Sequence, residues 1–228
     1  MERILIVAAH PDDDVLGCGG MMAKYANSKE FSILFISEGD SCRFSRSDLE
    51  SNELKENIKR RTSNAIKSLS IFGITRIRFL NFPCGRLDTI PILDINHLIE
   101  EEIQNFSPDI VITHSEDDVN NDHRIVNRSV IMSTRPSSRN LIKKVMCFEV
   151  QSSSEWNLIS PFKPNFFEIL DKGQVKMKWK AISCYKEEVR PYPHPRSKEG
   201  VFCHSSYRGM QCGYSYAEAF RVIRSLSE

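Results

Sequence analysis

Short, continuous apolar runs alternate with longer amphipathic segments along this chain, and this alternation limits the folds that it can adopt. Residues 3–9 read RILIVAA, residues 31–36 read FSILFI, and residues 109–113 read DIVIT. Runs that are apolar at successive positions are typical of strands buried on both faces of a parallel sheet. Because helices separate the strands, we predict an α/β fold, a Rossmann-like, doubly wound and mainly parallel sheet with helices on both faces.

The remaining elements follow from periodicity and from glycine and proline positions. Further strands are predicted at 76–80, 144–150 and 166–170, and helices at 16–26, 49–72, 92–106, 122–133 and 175–187. Residues 37–47 and 152–164 are predicted loops, and residues 190–196 (RPYPHPR) form a rigid extended loop because they hold three prolines. Periodicity leaves residues 213–223 open between a strand and a short helix.

Length and composition indicate one globular domain. The chain has 228 residues, of which 40% are hydrophobic and 27% charged, and this is too short for two ordinary domains to be expected. We predict a single domain over residues 1–228. Residues 1–150 would form the α/β core, and residues 151–228 an irregular segment that contributes to a substrate pocket.

Charge and hydropathy limit the classes of partner and the cellular location that we expect for this chain. The 31 Lys and Arg residues balance 30 Asp and Glu residues, and no basic stripe with interleaved aromatic residues is present, so we expect no nucleic-acid partner. The early apolar run at 4–9 is too short for a transmembrane segment or a signal peptide, which predicts a cytoplasmic protein. Seven cysteines without a C-x-x-C pair favour reduced thiols over a disulfide framework. A homo-oligomer is left open.

Two polar clusters follow predicted strands at the edge where ligands bind in open parallel sheets. HPDDD at 10–14 follows the first strand, and HSEDDVNNDH at 114–123 follows the fourth. Imidazoles with a carboxylate are the ligands of catalytic zinc sites. We predict that His10, Asp13 and His123 bind Zn²⁺ or another divalent ion, and that Asp12, which faces away from Asp13, is a general base. Taken alone, the acidic run is more typical of a helix cap and a turn, and it is the second cluster at another strand end that favours the metal site.

The glycines at 17, 19 and 20 do not favour a dinucleotide site. Their spacing is G-x-G-G, and the carboxylates of HPDDD stand where a phosphate would bind. We expect instead that these glycines let the first helix pack closely on the sheet.

These motifs resemble the signatures of the PIG-L/LmbE-like zinc N-deacetylases. The matching segments are AHPDD at 9–13 with LGCGG at 16–20, FLNFP at 79–83 with GRL at 85–87, DVNNDHR at 118–124, SEW at 154–156, FKPN at 162–165, PHPRS at 193–197, RG at 208–209 and YAEAF at 216–220. The resemblance implies the doubly wound fold, zinc held by His10, Asp13 and His123, and Asp12 as general base. It implies hydrolysis of the N-acetyl group of an amino sugar of the N-acetylglucosamine type, in glycoconjugate biosynthesis.

The chain departs from the family pattern at three positions. Asn120 stands where many members have a histidine that supports the oxyanion, Asp14 stands in place of Glu, and Cys84 in place of Asp. We therefore predict that His194 in the proline-rich loop supplies the missing imidazole, that Asn120 can still donate a hydrogen bond, and that Asp122 orients a neighbour. An ordinary surface histidine between prolines is the equally weighted alternative for His194.

Substrate recognition is less constrained. Arg61, Arg86 and Arg208 are the predicted substrate-binding residues, because arginines suit the phosphates of a nucleotide- or lipid-linked sugar. Ordinary surface charge is the alternative for the arginines of this chain and is favoured for most of them. Two other functions stay open: a metal-dependent hydratase or lyase on the same scaffold, and a non-catalytic sugar-binding domain.

Overall fold

A computed structural model describes residues 1–136 and 141–227, and within these ranges the chain forms seven strands and six helices. The strands are β1 (Arg3–Ala8), β2 (Glu30–Ser37), β3 (Arg76–Phe82), β4 (Ile110–His114), β5 (Lys144–Phe148), β6 (Phe166–Leu170) and β7 (Tyr216–Ser225). The helices are α1 (Asp13–Tyr25), α2 (Asn52–Ser70), α3 (Ile92–Phe106), α4 (Asn121–Ser133), α5 (Lys172–Ile182) and α6 (Lys198–Cys212).

All seven strands form one sheet in the order β3-β2-β1-β4-β5-β7-β6. The first five are parallel, and β7 runs antiparallel to both β5 and β6. The predicted doubly wound, mainly parallel α/β fold is therefore confirmed. The direction of winding reverses between β1 and β4, so a crevice opens beyond the carboxyl ends of these two strands.

Strand β1 shows why the early apolar run has no polar alternation. Ile4, Ile6 and Ala8 contact the core beneath α1, α2 and α5, whereas Leu5 and Val7 contact the core beneath α3 and α4. Because both faces of the strand are buried, apolar residues occupy every position.

The C-terminal third is more regular than the sequence predicts. The segment left open at 213–223 contains most of β7, which pairs with both β5 and β6 and so completes the same sheet. Helix α6 was not predicted, because two glycines interrupt its pattern and tertiary contacts outweigh their low helix propensity. Its ends nevertheless carry ordinary signals: the Ser197 hydroxyl accepts a hydrogen bond from Gly200 N at 2.9 Å, and Gly213 adopts a left-handed conformation with φ 82°.

Within residues 1–136 and 141–227, every helix is too short or too polar to cross a bilayer.

The glycines of α1 mark its close approach to the sheet, as expected. A Cβ atom built at Gly17 would lie 2.3 Å from Phe148 Cδ2 on β5, and one built at Gly20 would lie 2.3 Å from Leu170 Cδ1 on β6. Both distances are too short for a side chain, so the absence of side chains sets the separation between helix and sheet.

We expect Gly17→Ala to lower the free energy of unfolding by about 1–3 kcal/mol, because the added methyl group overlaps the buried Phe148 ring. The loss should appear although alanine is the better helix former. Urea unfolding followed by circular dichroism measures it. Gly173→Ala in the exposed first turn of α5 is the matched control and should change stability by less than about 1 kcal/mol. Equal stability of both variants would disprove the packing role of Gly17.

Candidate metal centre and active site

The first site residues lie in the turn between β1 and α1. Asp13 N donates to His10 O at 3.2 Å, which closes the turn. Asp12 has φ 132°, a conformation that costs energy for a residue with a side chain and persists only where the surroundings enforce it. Asp12 occupies the N-cap position of α1, yet its side chain makes no capping hydrogen bond. The carboxylate is thus held for contacts other than helix capping.

Asp13 is the centre of a buried cluster with two imidazoles. Its Oδ2 lies 3.1 Å from His10 Nδ1 and 3.3 Å from His123 Nε2. Burial by itself would raise the pKa of Asp13, but the charge of His123 and the hydrogen bond with His10 hold it well below its usual value. One ligand atom from each of the three residues lies within 4.8 Å of the others.

A second carboxylate orients His10. Asp122 Oδ2 lies 3.1 Å from His10 Nε2 and also accepts a hydrogen bond from Gly85 N at 2.6 Å, while Asp122 Oδ1 accepts from Leu87 N at 3.2 Å. Burial would lower the pKa of His10, but Asp122 and Asp13 raise it to about 10. With Nε2 engaged by Asp122, Nδ1 faces Asp13, which is the arrangement by which carboxylates orient histidine ligands of metals.

Asp118 has the same relation to His123. Its Oδ2 lies 3.2 Å from His123 Nδ1, and its two oxygens accept hydrogen bonds from the hydroxyls of Ser153 and Ser154. Burial would raise the pKa of Asp118, but the contact with His123 and the two hydroxyl groups lower it to about 2. Asp118 therefore keeps its negative charge and fixes the orientation of the His123 ring.

His114, at the end of β4, packs against one face of the His123 ring. The two rings stack with their centroids 3.9 Å apart, and His114 Nε2 accepts a hydrogen bond from Ala9 N at 2.8 Å. Because a backbone N–H can only donate, this nitrogen carries no proton. Burial and the neighbouring charge of His123 lower the pKa of His114, which keeps the ring neutral.

The residues of the cluster fit a metal ion. His123 Nε2 is buried and has no hydrogen-bond partner among the described residues, although it faces Asp13. Two imidazole nitrogens and one carboxylate oxygen are the donor set of catalytic zinc sites, in which the remaining position is open to water or substrate. The three predicted ligands thus come together with ligand atoms that can bind one ion.

Asp12 lies beside the cluster and is held by two arginines. Its Oδ2 lies 3.0 Å from Arg61 Nη2 and 2.9 Å from Arg196 Nη1, whereas its buried Oδ1 has no hydrogen-bond partner among the described residues. Burial raises the pKa of Asp12, and the two guanidinium groups oppose this increase. Asp12 therefore has one anchored oxygen and one oxygen available to a proton donor.

Glu188 balances the charge of the arginines. Its carboxylate accepts hydrogen bonds from Arg61 at 2.7 Å, from Arg43 at 2.6 Å and from Arg196 at 3.2 Å. Burial would raise the pKa of Glu188, but the charges of Arg61 and Arg43 lower it to about 2. The ionised Glu188 lets two arginines approach Asp12 without an excess of buried positive charge.

The cluster opens into a cavity of about 240 Å³. Besides the three candidate metal ligands and Asp12, its walls include Asn120, His194, Trp156, Cys42 and Cys84. The structure thus brings two predicted catalytic residues, Asn120 and His194, to the same cavity, whereas Asp122 lies behind His10.

Asn120 and His194 each have one polar group engaged. Asn120 Oδ1 accepts a hydrogen bond from Asp122 N at 2.9 Å and caps α4, so its NH₂ group is the part of the side chain that can donate to a ligand. His194 Nδ1 accepts from Arg196 N at 3.1 Å, so the proton of the neutral ring is on Nε2. Burial and the charges of Arg196 and Arg190 lower the pKa of His194, which favours the neutral ring.

The three arginines predicted to bind substrate occupy different environments. Arg61 is in the cavity wall, but it is buried and donates to Pro11 O and Glu188 while pairing with Asp12, so its geometry positions Asp12. Arg86 and Arg208 do not line the cavity. Arg86 donates to the carbonyl groups of Ser41 and Cys84 at 3.3 and 3.5 Å, and Arg208 forms a buried bidentate pair with Glu149. The two residues therefore lie outside the cavity that holds the candidate metal ligands, and their contact with substrate stays a prediction.

Sequence reasoning missed Asp118, Glu188 and Arg196 as members of the site. Asp118 is within the second polar cluster, and its position near His123 is the signal that could have found it. Arg196 is the last residue of the proline-rich loop, but nothing in its spacing indicates Asp12 as a partner. Glu188 gives no local signal, because only the tertiary fold places it between three arginines.

Fold and site together define a class of protein: a Rossmann-like α/β protein with a candidate metal centre of two histidines and an aspartate at the topological switch point. The PIG-L family model, described as GlcNAc-PI de-N-acetylase, matches residues 5–133, more than half of the chain. The chain therefore belongs to the PIG-L family. A search of curated proteins found no match.

Solved structures share the fold over the whole chain. A conserved protein from Thermus thermophilus is 21% identical, with a TM-score of 0.77 and coverage of 100% of this chain and 97% of the other. N,N'-diacetylchitobiose deacetylase from Pyrococcus horikoshii is 20% identical, with a TM-score of 0.76 and coverage of 97% and 84%. The 4-carboxy-2-hydroxymuconate hydratase from Pseudomonas putida is 21% identical, with a TM-score of 0.73 and coverage of 100% and 98%. At these identities, the similarity supports the fold.

We expect Asp118→Asn to weaken zinc binding by about 10–100-fold, because the amide no longer holds the His123 ring by charge. Isothermal titration of metal-free protein with zinc measures the affinity. Asp117→Asn, the same change at the adjacent residue, whose carboxylate contacts Ser160 and Arg221, is the control and should retain wild-type affinity. Equal affinities of the two variants would show that Asp118 does not act through the metal centre.

Proposed function

We propose that this protein is a zinc-dependent N-deacetylase that hydrolyses the N-acetyl group of an amino sugar of the N-acetylglucosamine type. The observation that carries the proposal is the buried Asp12 carboxylate beside the His10–Asp13–His123 cluster; one oxygen of this carboxylate has no hydrogen-bond partner in the described part of the chain. A binding module has no need of such a base. Membership of the PIG-L family supports the reaction class.

The His10, Asp13 and His123 side chains would hold the metal. A bound zinc ion supplies Lewis-acid chemistry, which polarises an amide carbonyl group and lowers the pKa of water. The chain's contribution is to keep the two imidazoles oriented by Asp122 and Asp118 before any ion binds. This preorganisation limits the reorganisation that accompanies binding.

Asp12 is the proposed general base. Arg61 and Arg196 anchor its Oδ2, which fixes the orientation of the carboxylate. The other oxygen, Oδ1, can then take a proton from the attacking water. Burial raises the pKa of this carboxyl group, which makes it a better base than an exposed aspartate. The same group can then return the proton to the departing amine, which must leave in a protonated form.

Asn120 and His194 are the proposed donors to the oxyanion that develops on the carbonyl oxygen. The Asn120 NH₂ group and the His194 Nε2–H can each donate a hydrogen bond without gaining or losing a proton. This division of roles accounts for the asparagine at a position where many family members have histidine.

The proposal also specifies which sugar carries the N-acetyl group. The family model is described by a de-N-acetylase of GlcNAc-PI, and one structural neighbour is a deacetylase of N,N'-diacetylchitobiose. Both names indicate N-acetylated glucosamine units. We propose the same acetylated unit here, either free or linked to a nucleotide or lipid.

Acetate release is the direct test. The zinc-loaded protein should release acetate from at least one member of a panel of free, nucleotide-linked and lipid-linked N-acetylhexosamines. Asp12→Asn should lower kcat by about 10²–10⁴-fold, because the amide cannot accept the proton. Asp88→Asn, at an exposed residue, is the matched control and should retain activity.

Three results would contradict parts of the proposal. Release of acetate that Asp12→Asn leaves unchanged would exclude Asp12 as the base. A zinc-loaded protein that releases no acetate, but adds water to a carbon–carbon double bond of an unsaturated carboxylate, would support the hydratase alternative. Sugar binding without any turnover would support a binding domain.

His194→Leu should lower kcat by about 10²–10³-fold with little change in KM, because the donor acts on charge that develops in the transition state. His194→Gln keeps an N–H donor and should recover part of the activity. Steady-state kinetics on the substrate found above measures both variants. A rise in KM at constant kcat would instead assign His194 to ground-state substrate binding.

A further inference from the structure

Two cysteine side chains face each other in the wall of the cavity. Cys84 Sγ donates to Cys42 Sγ at a separation of 3.0 Å. Cys42 is exposed, whereas Cys84 is only 5% exposed. The two residues are 42 positions apart in sequence, so the fold and not the local chain brings the sulfur atoms together.

Glu38 holds the two cysteine-bearing loops together. Cys42 is in a short 3₁₀ helix after β2, Cys84 is in the turn after β3, and these parallel strands end at the same edge of the sheet. Glu38 Oε1 accepts a hydrogen bond from Cys84 N at 2.9 Å, and Glu38 Oε2 accepts one from Ser41 N at 3.0 Å. The Ser41 hydroxyl also accepts from Cys84 N at 2.9 Å. The hydrogen bonds of Glu38 and Ser41 therefore hold the two cysteine-bearing loops in a fixed position.

The two thiols differ in chemical character. Cys42 is exposed and its Sγ accepts the hydrogen bond from Cys84, which favours the ionised form of Cys42, whereas Cys84 is buried and carries the donated proton. The exposed sulfur is thus the better nucleophile, and the buried one keeps its proton until it reacts.

We propose that Cys42 and Cys84 form a peroxide-reactive dithiol site in the cavity wall, in which Cys42 is oxidised first and Cys84 closes an intramolecular disulfide. The ligand class is a small hydroperoxide, with hydrogen peroxide as its simplest member. The proposal does not depend on the deacetylase function, since it concerns thiol chemistry alone.

The reaction balances in two steps. The Cys42 thiolate attacks one peroxide oxygen, an S–O bond forms, the O–O bond breaks, and hydroxide leaves, so the sulfur is oxidised by two electrons. The Cys84 sulfur then attacks the Cys42 sulfur as its proton passes to hydroxide. The S–S bond forms, the S–O bond breaks, and the second oxygen leaves as water after taking up the proton that Cys42 released when it ionised. Two thiols and one hydrogen peroxide yield one disulfide and two waters.

The geometry requires only a small movement. A disulfide has an S–S distance of about 2.05 Å, so the two sulfur atoms must approach by about 1 Å. Hydrogen bonds to Glu38 and Ser41 hold the Cys84 backbone, whereas Cys42 is on the exposed side of its loop. We expect Cys42 to make most of this movement.

Peptide mapping after treatment with one equivalent of hydrogen peroxide tests the proposal on the reduced 228-residue chain. Free thiols are alkylated, and the protein is then digested and analysed by mass spectrometry. We expect a linked peptide pair containing Cys42 and Cys84, an intact mass lower by about 2 Da from the loss of two hydrogens, and reversal by dithiothreitol. Cys42 should lose its free thiol at least about tenfold faster than Cys203, an exposed cysteine on α6.

Two variants separate the roles. Cys84→Ser should leave a sulfenic acid on Cys42 that dimedone captures, without a disulfide, whereas Cys42→Ser should reduce peroxide consumption to the rate of the remaining thiols. In urea, the wild-type preference for Cys42 over Cys203 should disappear because the pair separates.

Oxidation of Cys42 and Cys203 at equal rates in the folded protein, or a Cys42 disulfide with any other partner, would overturn the proposal. The wild-type map and the exposed Cys42→Ser variant do not depend on Cys84→Ser folding.

Discussion

The parallel pairing of β1 with β4 is the constraint on which the site depends. The register places Ile4 opposite Ile110 and Ile6 opposite Ile112, so the two strands end at the same level. Because consecutive connections leave these strands towards opposite sides of the sheet, a crevice forms between their carboxyl ends. His10 follows one strand and His114 ends the other. A short polar turn after each strand is enough to place imidazoles and carboxylates within contact distance.

Such a concentration of buried charge is unfavourable unless each group has a partner of opposite sign. A buried ion pair that loses one partner costs about 3–5 kcal/mol, because the remaining charge is left uncompensated. Asp13 and Asp122 lie against His10, and Asp12 lies against two arginines that Glu188 also contacts. The same contacts that compensate these charges leave few orientations for each side chain. Charge balance and positioning of the candidate ligands are therefore one property of the site.

The parts of the structure that could be predicted from the sequence are those with local physical signals. The apolar run in β1 indicates a strand buried on both faces, and the turn HPDD after it places polar groups at the sheet edge. Ile92–Phe106 has helical apolar spacing and matches α3 at both ends. Helix α6 has no such signal, because glycines interrupt its helical pattern. Close tertiary contacts require these glycines: a Cβ at Gly209 would lie 2.5 Å from Tyr214 O.

The partners of Asp12 could not be predicted for a related reason. Arg61 comes from α2 and Arg196 from the segment before α6, at 49 and 184 positions from Asp12, and side-chain type alone does not distinguish a structural arginine from one that binds a ligand. Arg61 and Arg208 are examples, because both are buried and form ion pairs with carboxylates of the protein itself. The C-terminal segment therefore does more than shape a pocket wall. By supplying Arg196 and Glu188, it makes the geometry of Asp12 depend on the folding of residues far outside the two motifs that carry the candidate ligands.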